Sequence, residues 1–426
     1  MSEFLKKESA LLGECYHTSY HKSGLPIIVF PKKMSTAYAM LAVRFGSIDN
    51  TTEKGDATFP DGVAHFLEHK LFANEDGSDS FERFSAFGAD ANAYTAYSRT
   101  VYLFSCTDHF EQALAELLRF VTHPWFTEAS VNKERGIIGE EIKMCRDDPY
   151  DRCYQNMLRG LYEKHPARIN ICGSEQSIAK ITPEILYDAY RTYYTPSNMA
   201  LIVCGDVTPE LVMTIADAEL KDFCGAPAPQ YRAVSEKPIA ATPLTVTHGQ
   251  VAKPIFVIGI KDVCIPTSPE ARTRRGSAMD ILSEMLFSET GELYNRLHDR
   301  GLLSPEVSFG YAQTRDIGFL RLSGESDEPE TVQKEIWAHL DNVRKTGLSR
   351  EDFEHCRRIE FAEYIKSFDS TEEIAENLVD NFFDDADLFS LGEVIQSITF
   401  EEVTALFEDF FDPARATLSV VLPNQK

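Results

Sequence analysis

The first 210 positions alternate between short apolar runs and apolar stripes at helical spacing. Residues 25–30 and 37–45 are nearly continuous apolar runs of strand length. Residues 91–106 are rich in Tyr, Val and Phe and read as further strands. Helical spacing predicts helices over about 62–72, 110–122, 128–146 and 183–194, and residues 200–204 read as a closing strand. Adjacent strand runs with helices between them predict an α+β layered domain.

The pattern breaks at Cys224-Gly225-Ala226-Pro227-Ala228-Pro229-Gln230 and stays irregular to Pro243. Four prolines among Ala, Ser and Thr make a linker rather than a helix or central strand. The expected division is a domain over 1–225, a linker over 226–244 and a second domain over 245–426. The two halves run in weak parallel. Phe66-Leu67-Glu68-His69-Lys70-Leu71-Phe72 meets Ile281-Leu282-Ser283-Glu284-Met285-Leu286-Phe287, and Thr100–Ser105 meets Ile317–Leu322. A helical stripe follows in each: Phe110, Leu114, Leu117 and Val121, then Val332, Ile336, His339, Leu340 and Val343.

Chemistry concentrates in the helix predicted over 62–72, which contains His65-x-x-Glu68-His69. Residues four apart on a helix share a face, so the two imidazoles point the same way. Two imidazoles so placed can hold one zinc ion, and Glu68 on that face can take a proton from a metal-bound water. The order H-x-x-E-H is the inverted zinc-peptidase signature. The bland alternative is a helix with two solvated histidines. In the segment 131–145, Val131, Ile138, Ile142 and Cys145 form one apolar stripe, with Glu134 and Glu141 at its edge and Glu140 opposite. The stripe nominates Glu141, with Glu134 beside it, as interior carboxylates; an exposed acidic helix edge is the alternative.

His65, Glu68 and His69, followed 72 residues after His69 by Glu141 with Glu134 seven before it, resemble the insulinase/pitrilysin family of inverted zinc metallopeptidases. The likeness continues through Asn92-Ala93-Tyr94-Thr95, Thr100-Val101-Tyr102, Arg146–Pro149, His165-Pro166, Gly173, Tyr193–Asn198 and Gly205-Asp206. The resemblance implies one zinc per chain on His65, His69 and Glu141, with Glu68 as general base and Glu134 supporting the site. It implies that the strand bearing Asn92, Ala93 and Tyr94 pairs with an extended peptide; an ordinary interior strand is the alternative. It also implies two homologous α/β-layered domains, with mostly antiparallel sheets packed by helices, closing like a clamshell.

Composition narrows the partners. A net charge of −25 argues against nucleic acid and against anionic membrane surfaces. No apolar run approaches the ~20 residues of a membrane span, and the first residues lack the apolar core of a signal peptide. Nine scattered cysteines without a C-x-x-C pair suit a reducing cytoplasm. Cys106, Cys172 and Cys204 sit in apolar surroundings and read as core residues. Asp384-Asp385-Ala386-Asp387 lacks the Gly and closing Glu of a calcium loop.

The second half departs from the resemblance. Glu68 and His69 have become Ser283 and Glu284, so one metal site is expected, in the first domain. Where the family places a substrate-gripping Arg and Tyr, the run His298–Pro305 carries His298 and Ser304. The expectation is a zinc-dependent endopeptidase acting on peptides or short unfolded segments. It would be a dimer, the zinc-bearing subunit paired with a paralogue that lacks zinc but carries the Arg/Tyr pair. The rival reading is a non-catalytic assembly or maturation factor with a vestigial or structural zinc site.

Overall fold

A computed structural model describes residues 4–50, 58–227, 230–304 and 307–424. Ala228, Pro229 and Pro305, named above, lie outside these. The chain forms two compact units, each with its own sheet and core.

The first unit holds a seven-stranded sheet built from β1 (Leu5–Ser9), β2 (Glu14–Tyr20), β3 (Pro26–Pro31), β4 (Ala37–Val43), β5 (Asp90–Thr95), β6 (Thr100–Cys106) and β7 (Met199–Gly205). Its order is β1-β2-β3-β7-β4-β6-β5. The β3–β7 pair is parallel and every other neighbour is antiparallel. The second unit holds β8 (Leu244–Gly249), β9 (Ile255–Lys261), β10 (Val307–Gln313), β11 (Gly318–Glu325) and β12 (Ala416–Pro423), ordered β10-β11-β9-β12-β8. Here the β12–β8 pair is parallel and the rest antiparallel.

The two sheets repeat one plan. The order β5-β6-β4-β7-β3 recurs as β10-β11-β9-β12-β8, with the parallel pair at the same place. The helix Val63–Leu71 lies between β4 and β5 in the chain, and Pro269–Phe287 between β9 and β10. This is the register of the weak sequence parallel, which set 66–72 against 281–287 and β6 against β11. Strands β1 and β2 are additions to the first unit.

Each unit takes one segment from across the linker. The first comprises residues 1–142, 170–232 and 365–389, and the second residues 143–169, 233–364 and 390–426. The reason lies in the strands. Along β3, β4 and β7, Ile27, Val29, Ala39, Leu41, Val43, Leu201 and Val203 enter the core beneath the helices Val63–Leu71 and Phe110–Thr122. Their neighbours Ile28, Phe30, Met40, Ala42, Ile202 and Cys204 point to the opposite face and are equally buried. A strand apolar on both faces needs a cover on both. That second cover is the segment carrying Phe368, helix Thr371–Phe383 and Phe389, which packs on β4 and β7. Phe30 lies 6.1 Å from Phe368 and 6.2 Å from Phe389, ring to ring. In the second unit the helix Pro149–Leu161 plays the same part across β9 and β12. Gly259 on β9 leaves the room that Met157 and Leu161 fill.

No described helix is long and apolar enough to cross a membrane. Replacing Phe368 by Ala is expected to cost about 3–5 kcal/mol in urea unfolding of the first unit. A loss below about 1 kcal/mol would mean that this segment does not cover the sheet.

Candidate metal centre

Three pieces of the first unit converge on His65. The helix Val63–Leu71 begins at Gly62, whose φ of 89° is open to glycine at little cost. A Cβ there would collide with the Cys172 carbonyl, and one on Gly173 (φ +77°) would meet the Asp61 carbonyl. The two glycines therefore let the 172–173 turn lie directly against the helix start. The helix is buried along almost its whole length, so His65 and Glu68 are only 7% and 8% exposed. Across from it runs the helix Glu128–Asp147, anchored in the core by Val131 and Ile138. Glu134 and Glu141 project from its inner edge, while Glu140 is exposed.

Glu141 reaches both imidazoles. Its Oε1 lies 3.4 Å from His65 Nε2 and its Oε2 lies 3.5 Å from His69 Nε2. Ligand atoms set tetrahedrally about 2.1 Å from a zinc ion stand about 3.4 Å apart. The donor chemistry fits zinc, and each imidazole stands at ligand spacing from a different oxygen of Glu141. His69 Nδ1 lies 3.1 Å from Glu134 Oε1, so the ring donates there and keeps the Nε2 lone pair for a metal. His65 Nδ1 is buried with no hydrogen-bond partner among the described residues.

The electrostatics follow from these contacts. Burial alone would lower the His69 pKa, but the Glu134 hydrogen bond and the Glu68 and Glu141 carboxylates raise it. Burial alone would raise Glu134, yet His69 and Lys70 hold it below the usual carboxylate range. The hydrogen bond from His65 holds Glu141 low despite its burial. Lys70, 3.8 Å from Glu134, is pushed down by burial.

Glu68 makes no ion pair among the described residues. The Thr95 hydroxyl at the end of β5 donates to its Oε2 at 2.5 Å, and Thr100 Oγ1 stands 3.3 Å from Thr95 Oγ1. Thr100 in turn donates to the Phe45 carbonyl. One oxygen of the carboxylate is thus fixed.

Strand β5 ends the sheet and pairs only with β6 among the described residues. It is an edge strand and not the interior strand that was the alternative. Asn92 is exposed, while Ala93 packs on the core and the Tyr94 hydroxyl donates to Glu376 at 2.7 Å.

Two residues of the site escaped the sequence. Thr95 stood in a motif without a role. Cys172 was read as core, and it is buried, but its Sγ lies 3.9 Å from both His65 Nε2 and Glu141 Oε1. Among the described residues, one group brings ligand atoms all within 4.8 Å of one another, and it is His65, Glu141 and Cys172. No spacing rule connects a cysteine at 172 with a helix at 65.

The repeat position in the second unit differs. It bears Asp280, Ser283 and Glu284 in place of His65, Glu68 and His69. Burial, with Glu360 nearby, pushes the Asp280 carboxyl up to about 8. Arg300 pairs with Glu335 at 2.7 Å. The Tyr311 hydroxyl is spent on Asp262 at 2.6 Å. Ser304 accepts a hydrogen bond from Lys253, and His298 is exposed beside Tyr294.

A layered α/β repeat with an inverted H-x-x-E-H helix facing a glutamate-bearing helix defines the inverted metallopeptidase-like class. More particularly, the chain belongs to the insulinase family, peptidase family M16. The family model described as insulinase (peptidase family M16) matches residues 28–175, and that described as the peptidase M16 inactive domain matches residues 180–360. A Bacillus subtilis protein named as an uncharacterized zinc protease, YmfH, is 34% identical over 95% of this chain and 97% of its own length. An M16-like peptidase from Alicyclobacillus acidocaldarius superposes with a TM-score of 0.91 at 31% identity, over 99% of both chains. The periplasmic protease PqqL of Escherichia coli shares the fold at 18% identity and a TM-score of 0.75, over 99% of this chain and 48% of that one.

Gly62→Ala is expected to destabilise the chain by roughly 2 kcal/mol or more, because strain and collision add. Gly77→Ala, with a similar φ of 82° but open space around it, serves as the comparison and should cost less. Equal melting shifts for the two variants would show that the contact with Cys172 carries no weight.

Proposed function

We propose that this chain is a zinc-dependent endopeptidase hydrolysing peptides or short unfolded segments. The observation that carries the reading is Glu141 reaching both imidazoles, one with each oxygen, with the Thr95-bound carboxylate of Glu68 on the same helix face. His65, His69 and Glu141 would hold the metal. Zinc bound by such a set supplies a Lewis acid and a water acidified toward pKa ~7.

The chain's own residues do the rest. Glu134 holds the His69 ring with Nε2 outward. Glu68, oriented by the Thr95 hydroxyl, takes the proton from the attacking water and returns it to the leaving amine. The free edge of β5 offers backbone N–H and C=O groups to an extended peptide, which gives affinity with little sequence preference. Asn92, Ala93 and Tyr94 would lie along that peptide.

The chain is the zinc-bearing subunit of a heteromeric pair in this reading. Supporting it, Arg300 and Tyr311 are each engaged within their own unit. The fold also occupies about half of a longer periplasmic protease. A reducing cytoplasm, suggested by the scattered cysteines, is the proposed setting. The second reading is a non-catalytic assembly or maturation factor, favoured by the match of residues 180–360 to a domain described as inactive.

Glu68→Gln should abolish cleavage of a mixed unstructured peptide set while zinc stays bound at one per chain. Cleavage persisting in that variant overturns the base assignment. Glu141→Gln should lower zinc occupancy, and Glu134→Gln should weaken it 10–100-fold, read by chelator competition. For the pairing, wild type alone should bind zinc yet cleave slowly, and gain activity when mixed with a paralogue bearing the Arg/Tyr pair. Full activity of the isolated chain refutes the pairing.

A further inference from the structure

The cysteine in this pocket has no part in the mechanism above, yet it lies where a ligand would. Cys172 is 8% exposed, in a turn that two glycines press against the start of the metal-facing helix. Its Sγ stands 3.9 Å from His65 Nε2 and 3.9 Å from Glu141 Oε1. His65, itself more than nine-tenths buried, aims that same nitrogen into the space shared by the thiol and the carboxylate. A sulfur about 2.3 Å and a nitrogen about 2.1 Å from one zinc ion lie about 3.6 Å apart in a tetrahedron. The observed separations exceed this by a few tenths of an ångström, within the reach of a side-chain rotation. A thiol placed this close to a divalent ion gives up its proton.

We propose that Cys172 is a fourth protein ligand of the metal centre, bound as thiolate beside His65, His69 and Glu141. The inference rests on the metal-centre reading above and adds a donor to it. One sulfur–metal bond forms, and the thiol proton leaves to solvent on metal binding. Four protein donors close a zinc site, whereas a hydrolytic site keeps one position for water. With all four bound the site would be closed, and the thiolate would have to give way, or the coordination expand, for water to enter. The mixed nitrogen, oxygen and sulfur donor set also favours zinc over magnesium or calcium, which take oxygen ligands.

The test uses the full chain loaded with cobalt(II), a spectroscopic stand-in for zinc, with no substrate present. Wild type should bind one cobalt and show an intense near-ultraviolet thiolate-to-cobalt charge-transfer band. Cys172→Ser should still bind cobalt and lose that band. Stoichiometric cobalt without the band in wild type overturns the proposal and leaves the metal centre standing. A band that survives in Cys172→Ser assigns the sulfur to another cysteine and also overturns it. Cobalt bound by neither protein removes the metal centre and the proposal together. Should the variant fail to fold, X-ray absorption on the zinc-loaded wild type decides. A zinc–sulfur shell at about 2.3 Å is expected, and a shell of nitrogen and oxygen alone refutes it.

Discussion

Glu141 sets one carboxylate oxygen against each of two imidazoles, and that shared contact joins two helices that the core already anchors. The surrounding pocket is costly. Glu68, Glu134 and Glu141 gather around His65 and His69, with Lys70 the nearby cation, and all are at least partly withdrawn from water. Carboxylates in such a place must be paired, hydrogen-bonded or bound to metal. Glu134 is satisfied by His69 and Lys70, and Glu68 by Thr95. Glu141 has imidazoles as partners, which carry charge only when protonated. A divalent cation would meet the excess of negative charge directly and, once bound, would add to the stability of the first unit.

Much of this was legible in the chain. The helical period placed His65, Glu68 and His69 on one face, and the stripe of Val131, Ile138 and Ile142 chose Glu141 over Glu140. Local spacing decides both, because a helix converts sequence offset into direction. What depended on long-range contact was invisible. Cys172 approaches His65 through a turn whose position is set by glycines 62 and 173, and no periodicity encodes that meeting. Strands β1 and β2 are partly polar and gave no strand signal, and the apolar run 200–204 read only as a closing strand. That the cover comes from residues beyond 364 could not be read locally.

The two sheets show what a duplicated plan keeps and what it releases. Strand order and the parallel pair are retained, since they are enforced by backbone hydrogen bonding and by burial of alternate residues. Side chains at the ligand positions are free of that constraint. Asp280 has replaced His65 in the repeat and is driven toward its neutral form by burial and by Glu360. Neighbouring Ser283 is buried, and its hydroxyl has no hydrogen-bond partner among the described residues. The second unit thus preserves the scaffold without the donor set, a division of labour that fits one metal per chain.

The exchange of segments has a consequence for biosynthesis. Strand β7 completes the first sheet at Gly205, but the residues that cover its far face run from 365 to 389. A ribosome adding about 5–20 residues per second needs roughly ten to forty seconds to supply them. Throughout that interval Ile28, Phe30, Met40 and Ile202 lack their apolar cover. The nascent first unit is therefore exposed to aggregation until the segment emerges, and a truncation before residue 365 would release a chain that carries His65, His69 and Glu141 but has a sticky sheet face behind them.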